Sequence, residues 1–173
     1  MKSAISVIII MLVTAGYTVA QPGHNALGIR MTTDGGGISF KSFVNRQFSI
    51  ETQLNLGGIR YLEGRSVTAT ALIEYHLPLP SPRFRIVFGG GCHFGSWTGR
   101  EDPTHPSEFI FGLDGIGGVE YIFPKGPWSI SGDLKPALNY LQVVEFFPHG
   151  MFGIAVRYYF GSNRVKAVPN AGS

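Results

Sequence analysis

The residues best equipped for chemistry lie in one stretch, Cys92-His93-Phe94-Gly95-Ser96, followed by Glu101, Asp102 and His105. A histidine, a hydroxyl and a carboxylate are the parts of an activated nucleophile: the carboxylate orients the imidazole, and the imidazole takes the hydroxyl proton. Spacing argues against that assembly. His93 and Ser96 have an odd separation, so on a regular strand they point to opposite faces. The expectation for this stretch is a polar loop base, and catalysis by His93, Ser96 and Glu101 is the rival. Metal binding has less support, because His24, His76, His93, His105 and His149 are dispersed and only His93 and His105 fall near one loop. Cys92 is the sole cysteine, which rules out a cysteine-based zinc site and any disulfide within the chain. Neither Gly89-Gly90-Gly91 nor the glycines of 112–118 fit Gly-x-Gly-x-x-Gly ahead of a helix. No cofactor and no metal is therefore expected.

The elements that must position these groups are strands. From Phe48 to Leu56 the apolar positions alternate with Ser49, Glu51, Gln53 and Asn55, and similar alternation recurs down to Arg157-Tyr158-Tyr159-Phe160. With turn residues as punctuation, the chain reads as eight strands, at 26–33, 38–44, 48–56, 67–77, 84–94, 109–123, 128–140 and 151–160. Segments 45–47, 78–82 and 124–127 are tight, whereas 57–66, 95–108 and 141–150 are longer and more irregular. Short turns at one end and long loops at the other are the pattern of a transmembrane barrel with both termini at the short-turn end.

Composition supplies the address. Residues 1–20 carry Lys2, an apolar run over 5–13 and the small residues Thr18 and Ala20, which read as a signal peptide cleaved before Gln21. That apolar run is too short for a membrane helix, which needs about 20 residues, and no later stretch reaches that length. Yet 44% of the chain is hydrophobic, so an exported protein of this kind needs another use for its apolar surface. Without Lys2 the chain has 13 basic against 11 acidic residues, scattered along strands, so no nucleic-acid partner is expected.

Which face points inward decides between a membrane barrel and a soluble ligand-binding one. Phe152, Ile154, Val156, Tyr158 and Phe160 share one face of the last strand, opposite Gly153, Ala155, Arg157 and Tyr159. The polar faces carry Glu51, Glu74, Arg85, Asp114, Glu120, Asp133, Lys135 and Arg157. An Arg or Lys turned toward mid-bilayer lipid would cost about 2–4 kcal/mol, so these charges belong inside. An eight-stranded barrel has room only for its own side chains, so the charges are expected to pair across the lumen, Glu51, Glu74 and Glu120 against Arg85, Lys135 and Arg157, in place of lining a pore. Aromatics are expected at both rims, from Phe43, Phe48, Tyr75, Phe84, Trp128 and Tyr158 at the short-turn end to Phe94, Trp97, Phe109 and Tyr140 at the other. The strand glycines are expected to relieve curvature or make room for bulky neighbours; a glycine-lined outer face that docks a partner is the minor alternative.

The signal peptide, the alternating strands and the terminal aromatic strand together resemble the small outer-membrane barrels of the OmpA and OmpX type, over 26–160. The resemblance implies an all-β, eight-stranded antiparallel up-and-down barrel in the outer membrane of a Gram-negative cell, in contact with membrane lipid and lipopolysaccharide. It also implies that Tyr158 and Phe160 serve as the signal read by the outer-membrane assembly machinery. The tail 161–173 departs from that pattern by continuing past Phe160, and it is too short for a peptidoglycan-binding domain. Some barrels of this size are lipid A deacylases, so a lipid-modifying enzyme is one rival and a small channel another. The leading expectation is a structural or surface-interaction protein acting through its outer loops, where Arg100, Glu101, Asp102 and His105 would meet the outside.

Overall fold

The structure, a computed structural model, describes residues 25–57, 64–81, 83–99, 108–141, 143–147 and 151–160. The expected signal peptide, the tail 161–173 and the loop residues Arg100, Glu101, Asp102 and His105 lie outside the described residues.

Ten strand segments form one antiparallel wall. They are β1 (Asn25–Thr32), β2 (Gly36–Phe43), β3 (Phe48–Gly57), β4 (Gly64–Pro78), β5 (Phe84–Gly99), β6 (Glu108–Ile122), β7 (Trp128–Leu134), β8 (Ala137–Leu141), β9 (Val143–Phe147) and β10 (Phe152–Phe160). Each pairs with its sequence neighbour or across a break, and β1 pairs with β10, Asn25 opposite Phe160 and Thr32 opposite Gly153, which closes the sheet. The wall is eight strands wide, because β7 with β8 and β9 with β10 are each one interrupted strand.

The interruption of the seventh strand corrects the continuous 128–140 read from the sequence. Pro136 has no N–H to give to the ladder. Register nevertheless survives the break: Gly117 faces Leu134 and, three residues on along each strand, Asp114 faces Ala137. Pro136 still contributes its carbonyl, which accepts from Gly115 N at 2.9 Å. The expected loop over 141–150 is also shortened, since β9 pairs back onto β8. Likewise β4 and β5 run past their expected ends. At about 3.3 Å per residue, the 16 residues of β5 exceed the roughly 9–11 that a tilted membrane strand needs, so this side of the wall rises above the membrane-spanning level.

Burial follows a period of two. On β1, Leu27, Ile29 and Met31 are exposed, Met31 by 71%, while Ala26, Gly28 and Arg30 are buried between them. On β10 the same holds for Ile154, Val156 and Tyr158 against Gly153, Ala155 and Arg157. Apolar surface of this kind facing water across the whole molecule would be costly; facing hydrocarbon it is the solvated state.

Tight turns are written into local sequence. Asn45 Oδ1 accepts from the backbone N–H groups of Gln47 and Phe48, both at 2.8 Å, an Asx turn that ends β2 and starts β3. Between β6 and β7, Gly126 has φ of 148°, a conformation side chains disfavour. Aromatic pairs follow the short-turn rim: Phe48 with Tyr75 at 5.1 Å, Phe84 with Tyr121 at 4.9 Å, and Trp128 with Tyr158 at 5.0 Å between ring centroids. Phe43 is the exception to the expected rim. It shares the inward parity of Ser39 and Lys41, is buried, and stacks in the lumen 4.8 Å from the His76 ring.

Candidate functional site

The chemistry of this chain is concentrated inside the barrel, and Arg157 of β10 is its hub. From there its guanidinium donates to both carboxylate oxygens of Glu51 on β3, at 2.8 and 3.0 Å, to Ser39 on β2 at 3.2 Å and to Ser131 on β7 at 2.6 Å. The Glu51 bonds span the lumen, because β1 and β2 separate β10 from β3 around the wall. Planar guanidinium and carboxylate groups match in a bidentate fork, the arrangement that best offsets loss of water.

Lys41 extends the cluster. Its ammonium lies 3.0 Å from Glu51 and 2.7 Å from Glu74. Glu74 also accepts from Ser49 Oγ at 3.1 Å, and Ser49 lies 2.7 Å from His76 Nε2. Glu120 accepts from Ser129 Oγ and Tyr159 Oη, each at 2.8 Å. Apart from the half-buried Tyr159 every member is buried, and each carboxylate has a cation or hydroxyl donor that a lone buried charge would lack. Glu74 Oε1 and Glu120 Oε2 make no hydrogen bond among the described residues.

The expected interior residues are therefore inward-facing, but some partners differ from expectation. Glu74 is matched by Lys41, while Lys135 serves Asp114 at 3.0 Å. Arg85 was expected against a glutamate; its guanidinium instead lies over the Phe43 ring, 5.7 Å from the centroid, a cation–π contact made possible by that ring's inward turn. Asp133 is held by both terminal nitrogens of Arg30. Sequence reasoning missed Arg30 and Lys41. Alternation contains both, since Arg30 is in step with Ala26 and Gly28 and Lys41 with Ser39.

Glycines make the space these side chains occupy. A Cβ at Gly28 would sit 2.5 Å from Arg157 Cγ, and one at Gly153 would run into the Arg30 guanidinium. The wall was expected to use glycine to admit bulky neighbours, and here the neighbours are the two arginines. Among the described residues, a cavity of about 10 Å³ bordered by Lys41, Glu74, Val87, Ile116 and Arg157 accommodates on the order of one water.

Toward the outer loops the cluster is simpler. His93 Nδ1 lies 2.8 Å from Asp114 Oδ2, and Asp114 also takes the Lys135 ammonium. A histidine oriented by a carboxylate is half of a catalytic arrangement. Ser96 does not complete it: His93 is buried in the lumen and Ser96 is exposed on the outside. Thr70 sits across the ladder from His93, but its buried hydroxyl makes no hydrogen bond among the described residues. Cys92 is exposed on the outer face, and among the described residues no group of three or more His, Cys, Asp or Glu converges as a metal site would require. Tyr158 and Phe160 both stand on the outer face of β10.

No protein-family model matches the chain, and no curated protein matches it significantly. Solved structures do. The N-terminal β-barrel domain of Pseudomonas aeruginosa OprF superposes with a TM-score of 0.64 at 14% identity, over 81% of this chain and 100% of that one. Neisserial surface protein A gives 0.48 at 16% identity, over 80% and 94%, and Ail of Yersinia pestis in a phospholipid nanodisc 0.44 at 11%, over 80% and 99%. The OprF superposition shows that the fold of this chain is the closed eight-stranded antiparallel barrel of outer-membrane proteins.

Proposed function

We propose that this chain is an outer-membrane barrel, exported by the signal peptide at 1–20, whose ion-paired lumen stiffens a closed wall and whose role is structural or surface-interacting through its outer connections. The observation that carries this reading is the inverted distribution of polarity. Arg157, Glu51 and Glu74 are at or below 1% exposure, while Ile29 at 67% and Ile154 at 59% face outward. A soluble carrier of apolar ligands would need the reverse. Hydrocarbon is the medium that such an exterior matches.

Tyr158 and Phe160, at the end of the closing strand, are assigned to recognition by the assembly machinery, and the apolar exterior to outer-membrane lipid, with lipopolysaccharide next to the outer loops. The enzymatic rival has weaker support, because the His93–Asp114 pair and Ser96 are on opposite sides of the wall. The test is membrane fractionation with a comparison of boiled and unboiled samples on a gel. A band in the outer-membrane fraction that shifts on boiling is the expected result. A soluble band with no shift would overturn the proposal in favour of a periplasmic binding protein.

A further inference from the structure

The three tight turns at the short-turn end each carry a single cation and no acidic residue: Arg46 within 44–47, Arg83 within 79–83 and Lys125 within 123–127. All three are exposed, and none takes part in an ion pair among the described residues. The opposite end differs, since its connections mix Asp34, Arg60, Glu63, Arg100, Glu101 and Asp102.

Backbone bonds fix where these cations stand. His76 N donates to Gln47 O at 2.6 Å, Ile122 N to Arg83 O at 2.8 Å and Tyr159 N to Pro127 O at 2.7 Å, so each turn is tied to the neighbouring strand around the rim. The cations are thereby spread around the barrel mouth. Immediately inside them lie the aromatic pairs Phe48–Tyr75, Phe84–Tyr121 and Trp128–Tyr158, residues of the type that settle at headgroup level. One more step outward along the barrel axis is the depth of lipid phosphate.

We infer that this rim is a docking collar for anionic phospholipid headgroups, with Arg46, Arg83 and Lys125 each engaging a phosphate of the leaflet that borders the short turns. The inference rests on the membrane reading above. A guanidinium can take a phosphate through two parallel hydrogen bonds and an ammonium through one charge-assisted bond. A net-anionic lipid such as phosphatidylglycerol gains from three like cations, whereas zwitterionic phosphatidylcholine offsets its phosphate with its own ammonium. Near a charged bilayer surface each basic residue contributes up to about fivefold in partition.

The full-length mature protein is refolded into nanodiscs of mixed phosphatidylglycerol and phosphatidylcholine, extracted into mild detergent, and its retained lipids are counted by native mass spectrometry. Phosphatidylglycerol should be enriched several-fold on the wild type, reduced to the bulk ratio on R46Q/R83Q/K125Q, and enriched again on R46K/R83K/K125R. Absence of enrichment on the wild type, or its persistence on the glutamine variant, would overturn the collar. Saturable binding of inorganic phosphate that is lost in R46Q/R83Q/K125Q, on a wild type that shows no phosphatidylglycerol enrichment, would overturn it as well, by identifying sites for free phosphate. Heat-modifiability of the same samples reports insertion separately, so failure of the barrel itself is distinguishable from failure of the collar.

Discussion

The two ends of the lumen use the same residue types to different effect. Toward the short turns, Arg157 reaches from β10 to Glu51 on β3, and Lys41 on β2 joins Glu51 to Glu74 on β4. Toward the outer loops, Asp114 on β6 gathers His93 from β5 and Lys135 from the break between β7 and β8, the strands on either side of its own. The first set crosses the lumen and ties the wall to itself; the second reinforces hydrogen-bonded neighbours. Arg30 and Asp133, on β1 and β7, lie between these extremes, bridging over β10 alone. Arg30, Lys41 and Arg157 stand on β1, β2 and β10, the closing pair of strands and the one beside it.

The costs of disrupting these contacts should fall in order. Arg157→Met should have the largest effect, because it leaves Glu51 buried without its bidentate cross-lumen partner; breaking such a pair costs about 3–5 kcal/mol. Guanidinium unfolding of the refolded barrel, followed by tryptophan fluorescence, measures it. Asp114→Asn should cost less, about 1–3 kcal/mol, since Lys135 has 13% of its side chain exposed and can turn to water. Equal or reversed costs for these two would break the distinction between the clusters.

Gly153→Ala sharpens the same point sterically. The added methyl meets the Arg30 guanidinium, and overpacking of this kind costs about 1–3 kcal/mol. In the background of Arg30→Ser the loss should shrink, so a double-mutant cycle reports the contact directly. Ser96→Ala is the smallest expected change, within about 0.5 kcal/mol, because Ser96 faces outward away from both clusters. It should also leave the acylation pattern of lipid A unaltered when analysed by mass spectrometry; a changed pattern would revive the enzymatic rival.

Much of this arrangement was legible in the sequence because a strand's period of two leaves no freedom once one face is known to be apolar. Glu51, Glu74 and Arg157 follow from their alternation with Ile50, Ile73 and Val156 alone. Partner choice was not legible, since register and barrel closure decide which inward residues meet, and Lys41 rather than Lys135 reaches Glu74 for that reason. Phe43 has the residue type of a rim aromatic but the parity of Ser39 and Lys41, and parity decides where it points. The break at Pro136 was readable from its missing N–H, whereas the extension of β4 and β5 beyond the expected ends depends on hairpin pairing above the membrane level, which composition does not encode.

A lumen packed by Arg157, Glu51, Lys41 and Glu74 should carry no ions. Single-channel recording of the refolded protein in a planar bilayer should therefore show insertion without discrete conductance steps. Stable steps whose size changes in Glu51→Gln or Arg157→Met would contradict it and make the lumen an ion pathway.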